Sequence, residues 1–508
     1  MDIANQNWMK ELKKIPRVSK KKTAILNAEV GTTVFVGFKK NSVGLFQEID
    51  FDFVRENVFR AQKPRGTDKV ETVKEVQTIQ PNQFALAISV FSRDMNAYVQ
   101  GTSIVDLMIP VFTSVAIQNN PYKFVVSKGR KTNKKDTELF ELNTDHFGGF
   151  HDSLKKSTQW QSFLNFLPRM TLTSIVSTYD GYLGNLISAL YSTVPELLIA
   201  SEKKLAISDV LAYNSISELK QQLIRKEVET IIRDSHEDQF DWLERKLGIK
   251  LKKDLSVWPE FIEICERRNL LTHTNGIVSQ QYLDKCRSVC FKIEPNTKVG
   301  DRLFVSRKYL SNAAAVFYEM GIKLGHIVWR KVQKSEPTAS EKSFSEICFE
   351  LIKTKNYTLA NRLLEFGTKM PRLDEVYQRM MTINYANSMK LSGKPEKIDE
   401  ILDGLNWKTC SPDYKICVAA VRGKNEEVFR LMKSMGKTGE ISKEGYLTWP
   451  VFLPLRKEVK FREIYFEVFG SAYETDELII DSHVVISDSK VMKTTTPKKK
   501  KSDLSKLN

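Results

Sequence analysis

Glu266-Arg267-Arg268-Asn269-Leu270-Leu271-Thr272-His273-Thr274-Asn275-Gly276 is the stretch from which the rest of the chain is read. The apolar pair Leu270-Leu271 continues a helical pattern begun by Trp258, Phe261, Ile262 and Cys265, and Asn275-Gly276 reads as a helix stop. The spacing therefore predicts a helix that closes within a residue or two of His273. Arg268 stands five positions before His273, one of six histidines in the chain. Residues five apart on a regular helix diverge by about 140°, so the two side chains share a face only if the last turn frays. Imidazole titrates in the neutral range, which suits proton transfer in either direction. A guanidinium beside it can hold a phosphate and stabilise its charge.

The same helical period extends on both sides. Ile175, Tyr179, Tyr182, Leu183, Leu186 and Leu190 form one apolar stripe, closed by Pro195. Leu219, Leu223, Val228, Ile231 and Ile232 belong to a second helix, in a segment opening at Ile207. Phe240, Leu243 and Leu247 form a third, ended by Gly248. A last helix runs from about Leu310 to Trp329, with Ala313-Ala314-Ala315 allowing close packing. Residues 157–335 thus read as a helical bundle.

Residues 1–156 read as a mixed α/β domain. Thr32–Phe38, Phe84–Phe91 and Tyr122–Val126 have the composition and length of strands. The stretches 62–72 and 128–138 read as exposed loops, and Gly148-Gly149 as a loop before the bundle. Residues 336–342 read as a polar linker. Beyond it Tyr357–Leu364, Glu396–Leu402 and Asn425–Met432 each carry an apolar triplet at helical spacing. Aligned on Ala360, Ile398 and Val428, they recur at 38 and 30 residues. Residues 343–470 resemble tetratricopeptide-like helical hairpins, with Phe461–Gly470 as a terminal helix. Residues 485–508, which include Lys498–Lys501, read as a disordered basic tail. The expected fold class is mainly α and multidomain: an N-terminal α+β domain, a central bundle and C-terminal α-hairpin repeats.

The chain has 508 residues, 41% hydrophobic and 28% charged, which suits about three soluble domains. A net charge of +16 admits a polyanionic partner, although the basic excess is spread along the sequence. None of the six cysteines forms a C-x-x-C pair, and no metal site or cofactor is expected. No run is long and apolar enough to span a bilayer, and the N-terminus lacks a signal-peptide pattern, so the expected compartment is the cytoplasm. G-x-x-x-x-G-K-[ST], H-E-x-x-H and G-x-S-x-G are all missing from the sequence.

Arg268-Asn269-Leu270-Leu271-Thr272-His273, inside an all-helical segment, resembles the R-x(4–6)-H signature of the HEPN superfamily, whose arginine is often followed by Asn, Asp or His. The resemblance covers roughly 160–335 and does not reach the N-terminal region. It implies a bundle that dimerises across its motif helices and a metal-independent endoribonuclease, frequent in toxin–antitoxin and anti-phage defence systems. It implies that Arg268 binds the scissile phosphate and that His273 is base or acid in 2′-hydroxyl attack. Asn269 would then orient the arginine or a phosphate oxygen. Arg267 is either a further phosphate contact or a solvated cation. Asp180 either pairs with an arginine of the site or faces water. His236 and His326, without a spacing partner, read as structural or exposed. Two other readings stay open: a non-catalytic RNA- or nucleotide-binding protein, and a scaffold whose repeats engage a protein partner.

Overall fold

The computed structural model describes residues 37–40, 47–50, 82–118, 121–134, 137–199, 210, 212–334 and 336–471. The chain divides into two compact units, 1–79 and 80–508. In the first, strands β1 (Gly37–Lys40) and β2 (Gln47–Asp50) form an antiparallel hairpin with Gly37 opposite Asp50. Gly37 and Phe38 of the expected first strand thus lie in β1, while 32–36 and 62–72 fall outside the described residues.

The second unit is mainly helical. Helix α1 (Gln83–Gln118) begins inside the run read as a strand. Phe84, Ile88, Phe91 and Met95 are buried at helical spacing, so Phe84–Phe91 is one face of a long helix and not a strand. The expected strand at 122–126 is likewise helical, within α2 (Pro121–Lys128). The expected loop at 128–138 holds an antiparallel hairpin, β3 (Arg130–Lys134) with β4 (Thr137–Glu141).

Helix α3 (Phe147–Thr193) runs continuously through Gly148-Gly149 and through the expected boundary at 156/157. It ends where the Val194 N–H bonds back to Leu190, just before Pro195. Then come α4 (Ile216–Arg233), α5 (His236–Leu247), α6 (Trp258–His273), α7 (Gln280–Ser288) and α8 (Arg307–Val332). Ser215, Ser235, Ser279 and Ser306 cap α4, α5, α7 and α8 by accepting from a backbone N–H of the first turn. Gly248 ends α5 in the left-handed conformation, as its sequence position implies.

Helices α1, α3 and α8 pack together and form the centre of the bundle. Phe91 stacks on Tyr182 with ring centroids 4.1 Å apart, and Tyr179 meets Phe261 and Phe317 edge-on at 5.1 and 5.3 Å. Gly321 of α8 permits this approach, because a Cβ there would lie 2.1 Å from the Phe91 ring. The bundle therefore recruits a helix from the region assigned to a separate mixed domain.

Residues 336–342 are not a linker. They lie in and just before α9 (Pro337–Lys353), where Ser340 and Glu341 are buried. Glu341 pairs with Arg330 of α8, and His326 Nδ1 lies 3.0 Å from Ser340 Oγ, so the first turn of α9 is bound to the bundle. Helices α10 (Tyr357–Thr368), α11 (Glu375–Leu391), α12 (Ile398–Leu402), α13 (Pro412–Val421) and α14 (Asn425–Met435) follow. Helices α15 (Lys443–Thr448) and α16 (Val459–Phe469) complete the described chain. A separate core of Ile383, Ala386, Leu402, Ile416, Val428, Phe452 and Phe461 joins α11 through α16. The tail at 485–508 lies outside the described residues. No described helix is long and apolar enough to cross a membrane.

Candidate functional site

Helix α6 carries the Arg-x4-His stretch at its C-terminal end. Pro259 sits in its first turn and the helix is regular through His273. Thr274 N–H and Gly276 N–H both bond to the Leu270 carbonyl, at 2.9 Å each. Asn275 and Gly276 then take positive φ values of 55° and 84°. Gly276 is needed here: a Cβ would meet the Leu303 carbonyl oxygen at 2.7 Å. Gly276 O accepts from Leu303 N–H at 2.8 Å and Val278 N–H donates to Asp301 O at 2.8 Å, fastening the 299–305 segment to the helix end.

Arg268 is half-buried. Its Nη2 lies 3.9 Å from Asp180 Oδ2, and the other oxygen of Asp180 is 2.9 Å from His236 Nε2. The acid singled out on α3 therefore does pair with the arginine, from 88 positions earlier in the sequence. His236, read from sequence as structural or exposed, opens α5 and is its second partner. The His236 ring stands edge-on to Phe261, 5.5 Å away, which holds it against the core. Glu266 lies in the same charged group, where burial raises its carboxyl pKa and Lys285, His236 and Arg268 oppose the rise. Asn269, expected to serve the arginine, is a hydrogen-bonding neighbour of Glu266.

A distance of 3.9 Å is an ion-pair separation and not a hydrogen bond. The Arg268 Nε is buried without an acceptor. The guanidinium is thus oriented by Asp180 while retaining unused donors. His273 is exposed at the last turn. Because α6 stays helical through His273, the fraying that would swing the imidazole to the arginine side does not occur.

Comparison with known proteins returns nothing: no family model, curated protein or solved structure matches the chain.

Arg267 points into a different environment. Its Nε donates to Glu263 Oε1 at 2.7 Å, and its guanidinium lies 4.1 Å from the centre of the Tyr309 ring. Glu263 is buried and also accepts from Tyr282 and Tyr309 hydroxyls, both at 2.7 Å. Arg267 is therefore not a solvated cation, and its carboxylate partner is not the one that faces Arg268; it is part of a buried carboxylate network beside a cavity of about 550 Å³. Cys265, Cys286, Cys348 and Cys417 are buried thiols, and burial pushes the Cys286 and Cys417 pKa values up to about 12. Among the described residues no three His, Cys, Asp or Glu side chains gather as a metal site.

Sequence reasoning missed His236 because its partner lies 56 residues away. It also missed Arg169 and Arg302, which converge on Asn275. Arg169 Nη1 donates to the Asn275 side-chain oxygen at 2.5 Å, and Arg302 Nε to the Asn275 carbonyl at 3.2 Å. Neither arginine carries a sequence signal that would mark it.

Proposed function

We propose that this chain is a metal-independent endoribonuclease of the HEPN type, cleaving RNA by 2′-hydroxyl attack. The observation that carries this reading is the state of Arg268: held by a carboxylate that His236 anchors, yet only loosely paired and with donors unused. A phosphate oxygen would complete it, and a planar guanidinium suits a phosphodiester better than lysine does. His273, exposed on the last turn of the same helix, would move the proton of the attacking or leaving oxygen. One chain presents the two groups on different sides of α6. The reading therefore places Arg268 of one copy with His273 of a second in a homodimer. The cellular role is that of an anti-phage defence or toxin effector, with the C-terminal repeats engaging a protein partner.

The test is cleavage of labelled RNA in EDTA with analysis of the product ends. The wild-type chain leaves 2′,3′-cyclic phosphates, while Arg268→Ala and His273→Ala each leave the RNA intact. Cleavage that persists in either variant, or that never appears, rejects the reading.

The divergence of Arg268 and His273 within one chain favours a second reading, an RNA-binding protein without turnover. In that case His273→Ala retains full RNA affinity and no chain cleaves.

A further inference from the structure

Two clefts flank the 299–305 segment, and the one lined by Leu271 and Asn275, which bracket His273 in sequence, has an unusual charge arrangement. It encloses about 290 Å³ and is lined by Phe166, Arg169, Asn275, Arg302 and Phe304 among others. That is the low end of the size range for a ligand site, and enough for one nucleobase. Arg169 and Arg302 are both fixed in place, but by uncharged acceptors: the side-chain and backbone oxygens of Asn275, and the Leu271 carbonyl. Among the described residues, the hydrogen bonds of both guanidiniums go to these uncharged oxygens alone. The two charges are therefore positioned and not neutralised, which an anionic ligand would correct.

The aromatic groups point to the same ligand. Phe304 is 69% exposed and Phe166 is 53% exposed, and the Arg169 guanidinium stands over the Phe166 ring at 5.3 Å. Two large apolar rings held in water beside two fixed cations suit a chain of alternating bases and phosphates, with bases stacking on the rings and phosphates on the guanidiniums. The backbone pairing of Gly276 with Leu303 ties this cleft to the end of α6, three residues past His273.

We propose that this cleft is a docking site for single-stranded RNA at the end of the helix that carries His273: a base on Phe304 or Phe166 and its phosphates on Arg302 and Arg169. A duplex keeps its bases stacked inside and cannot use the rings. The inference rests on the proposed ribonuclease function, but it has its own readout in binding.

The experiment measures fluorescence anisotropy of the full chain carrying His273→Ala, which prevents turnover. The probes are a single-stranded oligouridine of about eight nucleotides, a duplex of the same length and uridine monophosphate. In this background Phe304→Ala weakens single-strand binding roughly tenfold. Arg302→Gln weakens it and reduces the slope of log affinity against log salt by about 0.7. Both side chains are exposed, and the Phe304 carbonyl that accepts from Arg267 is backbone, so neither change threatens the fold. The proposal is overturned if both variants bind like the parent, if the duplex binds as tightly as the single strand, or if uridine monophosphate binds as tightly as the oligonucleotide. Wild-type cleavage is read in parallel. Cleavage that depends on His273, with binding indifferent to Phe304, removes this docking site and leaves the nuclease reading standing. Binding that depends on Phe304, with no cleavage by any chain, does the reverse.

Discussion

Asp180 Oδ1 lies 2.9 Å from His236 Nε2, and this contact joins α3 to the first turn of α5 directly beside Arg268. The carboxylate faces a histidine with one oxygen and an arginine with the other. Substituting Asp180→Ala removes both contacts at once. The expected loss of stability is about 1 kcal/mol, because the groups are partly exposed. The expected loss of RNA cleavage is roughly tenfold to a hundredfold, because the guanidinium is no longer held. Single-turnover cleavage and a urea melt on the same preparation separate the two effects.

Gly321 tests whether α1 is a true member of the bundle. A Cβ at this position would press on the Phe91 ring. Gly321→Ala is therefore expected to destabilise the chain by about 1–3 kcal/mol. Pairing it with Phe91→Leu should recover part of that loss. Chemical denaturation of the single and double variants gives the coupling.

Glu263 is a buried carboxylate with three donors around it: Arg267, Tyr282 and Tyr309. Removing the acid leaves Arg267 without its ion pair in a mostly buried site. Glu263→Ala should cost about 3–5 kcal/mol, and Glu263→Gln less, since the amide oxygen still accepts. Denaturation midpoints in guanidinium chloride check the order.

His326 gives the stability a pH dependence. Burial, reinforced by Arg330, lowers its pKa from 6.5 to about 3. Below pH 6.5 the unfolded chain takes up a proton that the folded chain refuses. Stability is therefore fully present above pH 6.5 and is lost as the pH falls from 6.5 toward 3. The slope contributed approaches about 1.4 kcal/mol per pH unit. His326→Gln should flatten the decline between pH 6.5 and 5, a range where few carboxylates titrate. Denaturation at half-unit pH steps measures it.

The sequence made the bundle legible where apolar residues recur at helical spacing, as in Tyr179, Tyr182, Leu183 and Leu186. It misled where the period is hidden. Phe84–Phe91 is apolar almost throughout and has the length of a strand, and only its continuation to Gln118 marks it as helix. Glu336–Lys342 looked like a linker because its residues are polar. Glu341 is buried all the same, since Arg330 supplies the compensating charge. At the site, the helix stop at Asn275-Gly276 followed from local chemistry, whereas the sequence left Asp180 open between an arginine partner and water, and its contact with Arg268 is made across 88 positions. The roles of His236, Arg169 and Arg302 depend on partners distant in sequence, which spacing does not encode.

A site shared between two copies makes the account directly testable by mixing. Arg268→Ala and His273→Ala chains are each inactive alone. When unfolded together and refolded as a mixture, half of the dimers contain one intact pair: Arg268 from one copy and His273 from the other. EDTA-resistant cleavage should then return to about a quarter of the wild-type level, with cyclic-phosphate ends. An inert mixture, beside a wild-type chain that cuts, would contradict the shared site; a wild-type chain that never cuts would contradict the nuclease itself.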